Sequence, residues 1–161
     1  MTCDMYWIYR DPVGEDYTRL IEFCAKRSSK CTFALQQPQQ FGRSCHQFLD
    51  SLKEHLVEVA NQMEWPGTRL TLSPAAVYWY RVTPELIAVL TTKVRSLYEW
   101  AVPDLPEDLA FYRPDGRALL GTSSHERFAF LNLTEKGIDE FKQEVPGVRL
   151  SKDRRRTSDA Q

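Results

Sequence analysis

The chain has 161 residues, 42% of them hydrophobic and 27% charged, with a formal net charge of −1. That balance excludes a strongly basic polyanion binder, and a 12% aromatic content excludes a disordered chain, because large rings demand burial. The length suits a single domain, residues 1–150, which can bury roughly two-thirds of its unfolded surface without a metal or disulfide staple.

Met5-Tyr6-Trp7-Ile8-Tyr9 is aromatic and β-branched and predicts a first strand. Asp11-Pro12-Val13-Gly14 signals a turn. Tyr17, Leu20, Ile21 and Cys24 then recur at helical spacing and predict a helix from Asp16 to Lys26. Cys31 to Leu35 reads as a second strand. This βαβ-like opening predicts a right-handed crossover between neighbouring parallel strands. The Gln-rich stretch Gln36 to Gly42 reads as a loop. Ser44 is placed to cap a long helix to Met63, with Phe48, Leu49, Leu52, Leu56, Val59, Ala60 and Met63 as its apolar stripe. Trp65-Pro66-Gly67 ends it. Arg69 to Leu72 is a short strand candidate, and Ala76 to Val82 a stronger one.

Thr83-Pro84-Glu85 combines a capping hydroxyl, a first-turn Pro and an acid, and predicts a helix to Trp100. Val102 to Asp108 is a Pro-rich acidic connector. Leu109–Tyr112, Ala118–Thr122 and Arg127–Leu133 predict a three-stranded antiparallel meander, with Asp115-Gly116 as its first turn. Thr134 caps a last helix to Val145. Residues 151–161 hold one apolar side chain, Ala160, and the run Arg154-Arg155-Arg156, and are expected to form a disordered tail. The expected fold is α/β with a mixed sheet: a βαβα-like N-terminal half, then the meander and a final helix.

No phosphate-binding loop, dinucleotide fingerprint, nucleophile elbow or H-E-x-x-H stands in the chain. Cys3, Cys24, Cys31 and Cys45 show no C-x-x-C spacing, and Cys24 and Cys31 read as small buried hydrophobes. Cys45 and His46 diverge by about 100° on a helix and are poorly placed to share an ion, so no metal and no cofactor is expected. With no basic and apolar leader at Met1–Arg10 and no apolar run of about 18 residues, a cytoplasmic protein is expected, with neither membrane nor nucleic acid as partner.

Two segments invite a functional reading. Thr122-Ser123-Ser124-His125-Glu126-Arg127 gathers hydroxyls, imidazole, carboxylate and guanidinium between two predicted strands. As a catalytic group, His125 would be a general base, but Glu126 faces away from it in extended chain. As a structural group, it is a turn former or a buried ring bonded to a carboxylate. Asp104-Leu105-Pro106-Glu107-Asp108 is either a solvated loop or a Pro-stiffened acidic loop that meets a basic partner.

The landmarks YWIYRD, EWPGTRL, VYWYRV, LYEW, LPEDLAFYRPDG and SSHERFAFLNLTE, from Met5 to Val145, resemble a family of small bacterial proteins labelled stage III sporulation protein AH-like. Small soluble proteins with such acidic loops more closely resemble immunity proteins of bacterial polymorphic toxin systems. The resemblance implies no catalytic residue. It implies a cytoplasmic protein that binds and neutralises a cognate toxin domain by occluding its active site. The expected contacts are Glu107, Asp108, Tyr112, Asp115, His125 and Glu126. The alternatives are a small hydrolase-like enzyme centred on His125 and an adaptor for another protein.

Overall fold

The structure is a computed structural model that describes residues 2–154. Strand β1 (Asp4–Ile8) leads into helix α1 (Glu15–Arg27), then β2 (Lys30–Leu35), α2 (Arg43–Ser51) and β3 (Leu56–Gln62). A small hairpin follows, β4 (Glu64–Trp65) and β5 (Thr68–Arg69). Next come β6 (Ala75–Arg81), α3 (Pro84–Lys93), β7 (Glu107–Tyr112), β8 (Ala118–Ser123), β9 (Phe128–Leu133), α4 (Glu135–Glu144) and β10 (Leu150–Ser151). Eight strands form one sheet in the order β10-β1-β9-β8-β7-β2-β6-β3, and every neighbouring pair is antiparallel.

The fold class is the expected α/β, and the meander β7-β8-β9 forms as predicted. Asp115-Gly116 makes its first turn, with Gly116 at φ 89 and the Arg113 N–H bonded to the Arg117 carbonyl at 2.8 Å. Two helix starts follow local chemistry, whereas the cap expected of Ser44 does not form, since α2 starts at Arg43 after Gly42. Thr83 Oγ1 accepts from Leu86 N at 3.1 Å, and Thr134 Oγ1 from Gly137 N at 3.0 Å. Helix α1 carries Glu15 and Asp16 in its first turn and Lys26 and Arg27 in its last, which complements its dipole.

Three expectations fail. The helix expected from Ser44 to Met63 stops at Ser51, and Leu56–Gln62 is a strand. Phe48, Leu49 and Leu52 are buried as the stripe required, but Val59 and Met63 are 49% and 40% exposed. The β-branched Val57 and Val59 alternate with polar residues, and pairing with β6 outweighs the helical spacing. The helix expected to reach Trp100 ends at Lys93, because the chain turns extended and bonds the 12–14 loop: Gly14 N to Arg95 O at 2.7 Å and Leu97 N to Pro12 O at 3.3 Å. Finally, β1 and β2 are not neighbours. They run in the same direction, but β9, β8 and β7 lie between them. Of the expected tail, Ser151 pairs with Trp7 in β10, and residues 155–161 lie outside those described.

All four helices feed the larger core on one face of the sheet, including Tyr17, Leu20, Phe48, Leu86, Leu90 and Phe141. Cys24, Cys31 and Cys45 are buried in it, and burial pushes the Cys31 thiol up to about 12. The other face holds a smaller cluster of Ala34, Trp65, Ala75 and Val77. The β4–β5 hairpin leans over this second face. A Cβ on Gly121 would lie 2.8 Å from Pro66 Cβ and clash with the Phe130 ring. Gly121→Ala is therefore expected to cost about 1–3 kcal/mol through overpacking, read as a lower urea midpoint at unchanged m-value. A midpoint equal to wild type would mean the hairpin sits loosely.

Candidate functional site

The β8–β9 turn, the start of β7 and the end of β2 meet at one end of the sheet. Asp108 organises the junction. It occupies a bulge in the β2–β7 ladder with φ 58, a conformation that Asp tolerates better than most residues. Its backbone N–H donates to Ser124 Oγ at 3.1 Å, and Ser124 N returns a bond to Asp108 Oδ1 at 2.8 Å. Trp65 Nε1 donates to Oδ2 at 2.9 Å, and Gln36 Nε2 donates to the same oxygen at 3.2 Å. One carboxylate thus ties β2, the hairpin and the β8–β9 turn together.

Asp108 is 1% exposed and Glu107 6%. The expected solvated loop is confined to Pro103 and Asp104, while Pro106, Glu107 and Asp108 are buried. Ser44 Oγ holds Asp104 at 2.9 Å. Burial raises the Asp108 carboxyl above its usual range, opposed by the bonds it accepts. Burial, then the charge of Asp108, pushes Glu107 up to about 7, while His125 pulls the other way.

That carboxyl has a consequence for stability. Folded Glu107 keeps its proton to about 7, whereas the unfolded chain releases it near 4.5. Between those values the folded form binds more protons, so this residue makes stability fall as pH rises. Glu107→Gln is expected to gain on wild type steadily from pH 4.5 to 7, measured by urea unfolding at each pH. A difference independent of pH would show that Glu107 ionises as freely as an exposed acid.

The six expected contact residues do not form one patch. Glu107, Asp108, His125 and Glu126 share the junction. Tyr112 and Asp115 belong to the opposite end of β7, more than about 13 Å from Asp108 at some 3.3 Å per strand residue. Tyr112 is buried with its ring 4.6 Å from Trp79, and Asp115 pairs with Arg117 at 2.9 Å in the turn. His125 and Glu126 are exposed, and Glu126 lies 3.6 Å from Arg154. The structural alternative of a buried imidazole therefore fails for His125. It also stays outside the cleft lined by Tyr9, Arg10, Asp11, Val13, Asp16 and Arg149. Arg127, at φ 57, reaches Asp11 at 3.9 Å and stacks over Tyr98.

Among the described residues no group of His, Cys, Asp and Glu is placed to hold a metal ion, and no helix is long and apolar enough to cross a membrane. Sequence reasoning missed Trp65 and Gln36 as partners of Asp108, which lie 43 and 72 residues away along the chain. It also missed the outer edge of β3, hidden in the helical stripe, although Val57-Glu58-Val59 alternates as an edge strand does. Compared with known proteins, the chain matches no family model, no curated protein and no solved structure.

Proposed function

We propose that the chain is a binding protein whose partner is another protein, a bacterial toxin domain that it neutralises by covering the toxin's active site. The observation that carries the binding reading is where exposed apolar side chains collect. Among the described residues the large exposed ones are Met5, Val13, Val57, Val59, Met63 and Leu72. Three of these, Val57, Val59 and Met63, fall on β3 or on the residue that follows it. Clustered apolar exposure at one sheet edge is what a docking surface supplies. The exposed carboxylate of Asp104 adds negative charge, which speeds association with a basic partner. The toxin as partner rests on the resemblance of the sequence landmarks.

A hydrolase centred on His125 draws less support. A general base needs a group that orients it, and the ring stands exposed in a turn. The test is rescue. The untagged chain is co-produced in a naive host with toxin domains drawn from its native host, one at a time. Restored growth and a stoichiometric complex are expected. Growth arrest that persists despite abundant folded protein would overturn the toxin reading.

A further inference from the structure

We infer that the outer edge of β3 is a strand-addition site, and that its occupant is an extended segment of the partner protein with alternating apolar side chains and a Lys or Arg opposite Glu58. This rests on the binding reading above and gives that reading a surface and a chemistry.

Strand β3 ends the sheet. One of its edges pairs with β6 from Leu56↔Tyr80 to Gln62↔Ala75, and the other has no strand partner among the described residues. An antiparallel edge strand turns the N–H and C=O groups of alternate residues outward, and these groups template another strand. The far end of the sheet is blunted. There β10 has two residues, and Lys152 reaches back to Asp4 at 3.4 Å. Strand β3 has seven residues and no Pro. A bulge at Val57 breaks the ladder, so the regular edge runs over Glu58–Gln62.

The side chains select what binds. Val57 and Val59 are 41% and 49% exposed, and β-branched or aromatic partners pack best against them. The charge of the edge is negative. Glu58 has no ion pair among the described residues. The nearby cations are engaged: Arg81 donates to the Glu54 carbonyl at 3.1 Å, and Arg69 lies 3.8 Å from Glu64. Lys53 precedes the strand, outside the regular ladder. A cation on the incoming strand is the complement. A second copy of this chain fits less well. A symmetric antiparallel pairing over the regular edge, centred on Ala60, sets each Glu58 against Gln62 of the copy and supplies neither carboxylate with a cation.

The experiment titrates the full chain with a capped peptide alternating valine and threonine around one central lysine, followed by amide NMR. Saturable binding with exchange protection over 58–62 is expected. Methylating alternate peptide nitrogens on the pairing side is expected to weaken binding roughly tenfold, the loss of one or two backbone bonds. Glu58→Lys is expected to weaken the lysine peptide and to strengthen a glutamate version. Glu58 is exposed, and an unchanged amide spectrum elsewhere confirms that the variant folds. No binding, indifference to N-methylation, or indifference to the charge swap overturns the proposal. So does sedimentation showing a dimer whose protected amides fall on β3. A toxin complex that leaves β3 unprotected defeats this site and spares the proposed function. Peptide binding without rescue from any toxin does the reverse.

Discussion

Asp108→Ala is expected to destabilise the fold by about 3–5 kcal/mol, because two buried donors and one half-buried donor lose their acceptor at about 1–2 kcal/mol each. The donors are Ser124 N, Trp65 Nε1 and Gln36 Nε2, all within 3.2 Å of the carboxylate. Alanine also suits φ 58 less well than aspartate, whose short polar side chain tolerates the left-handed region. Asp108→Asn keeps that tolerance and one carbonyl oxygen. Its amide nitrogen faces a donor, so it should cost less than alanine, about 1–3 kcal/mol. The hairpin should loosen first, since Trp65 is its only residue in the second cluster. The measurement is urea unfolding together with the Trp65 indole resonance. An alanine variant within about 1 kcal/mol of wild type would show that water replaces the carboxylate freely.

What the sequence reveals here follows the range of the forces involved. Thr83-Pro84-Glu85, Thr134 and Asp115-Gly116 act on residues within one turn, and each starts or turns the chain where expected. The Tyr17-Leu20-Ile21-Cys24 stripe forms a buried helix face because its period fits only one structure. The residues from Phe48 to Met63 fit two. Leu52, Leu56, Val59 and Met63 keep helical spacing, while Val57-Glu58-Val59 also keeps the period of a strand. Six cross-strand partners in β6 decide the matter, and no local signal announces them. The same holds for Glu107 and Asp108. Beside two prolines they read as a wet loop, yet they begin a strand whose carboxylate partners come from the residue after β2 and from the hairpin. Half of the candidate site is therefore structural: Asp108 holds the junction together, and the exposed edge of β3 lay inside a supposed helix.

Trp100→Ala is expected to cost about 3–5 kcal/mol, the range for emptying a large aromatic site in a core. Trp100 is fully buried, with Phe33 at 4.8 Å and Phe48 at 5.5 Å between ring centroids. Its Nε1 donates to the Tyr17 hydroxyl at 2.9 Å, which donates in turn to the Leu90 carbonyl at 2.7 Å. One ring therefore couples α1, α2, α3 and β2. In a chain of this size each kcal/mol moves the thermal midpoint by roughly 2–4 °C, so a drop near 10 °C is expected by calorimetry. Trp100→Phe separates packing from bonding, since it keeps most of the ring and loses the N–H. Combined with Tyr17→Phe it should fall short of additivity by about 1 kcal/mol. Additive losses would mean that the relay contributes nothing beyond ring burial. The consequence reaches the proposed binding edge through Phe33, which also packs on Tyr80 at 6.5 Å, and Tyr80 pairs with Leu56 at the start of β3. A docking strand must stay extended and in register to accept another backbone. Loosening Trp100 should therefore weaken peptide binding at the edge even though the two sites never touch, and Trp100→Phe should restore most of it.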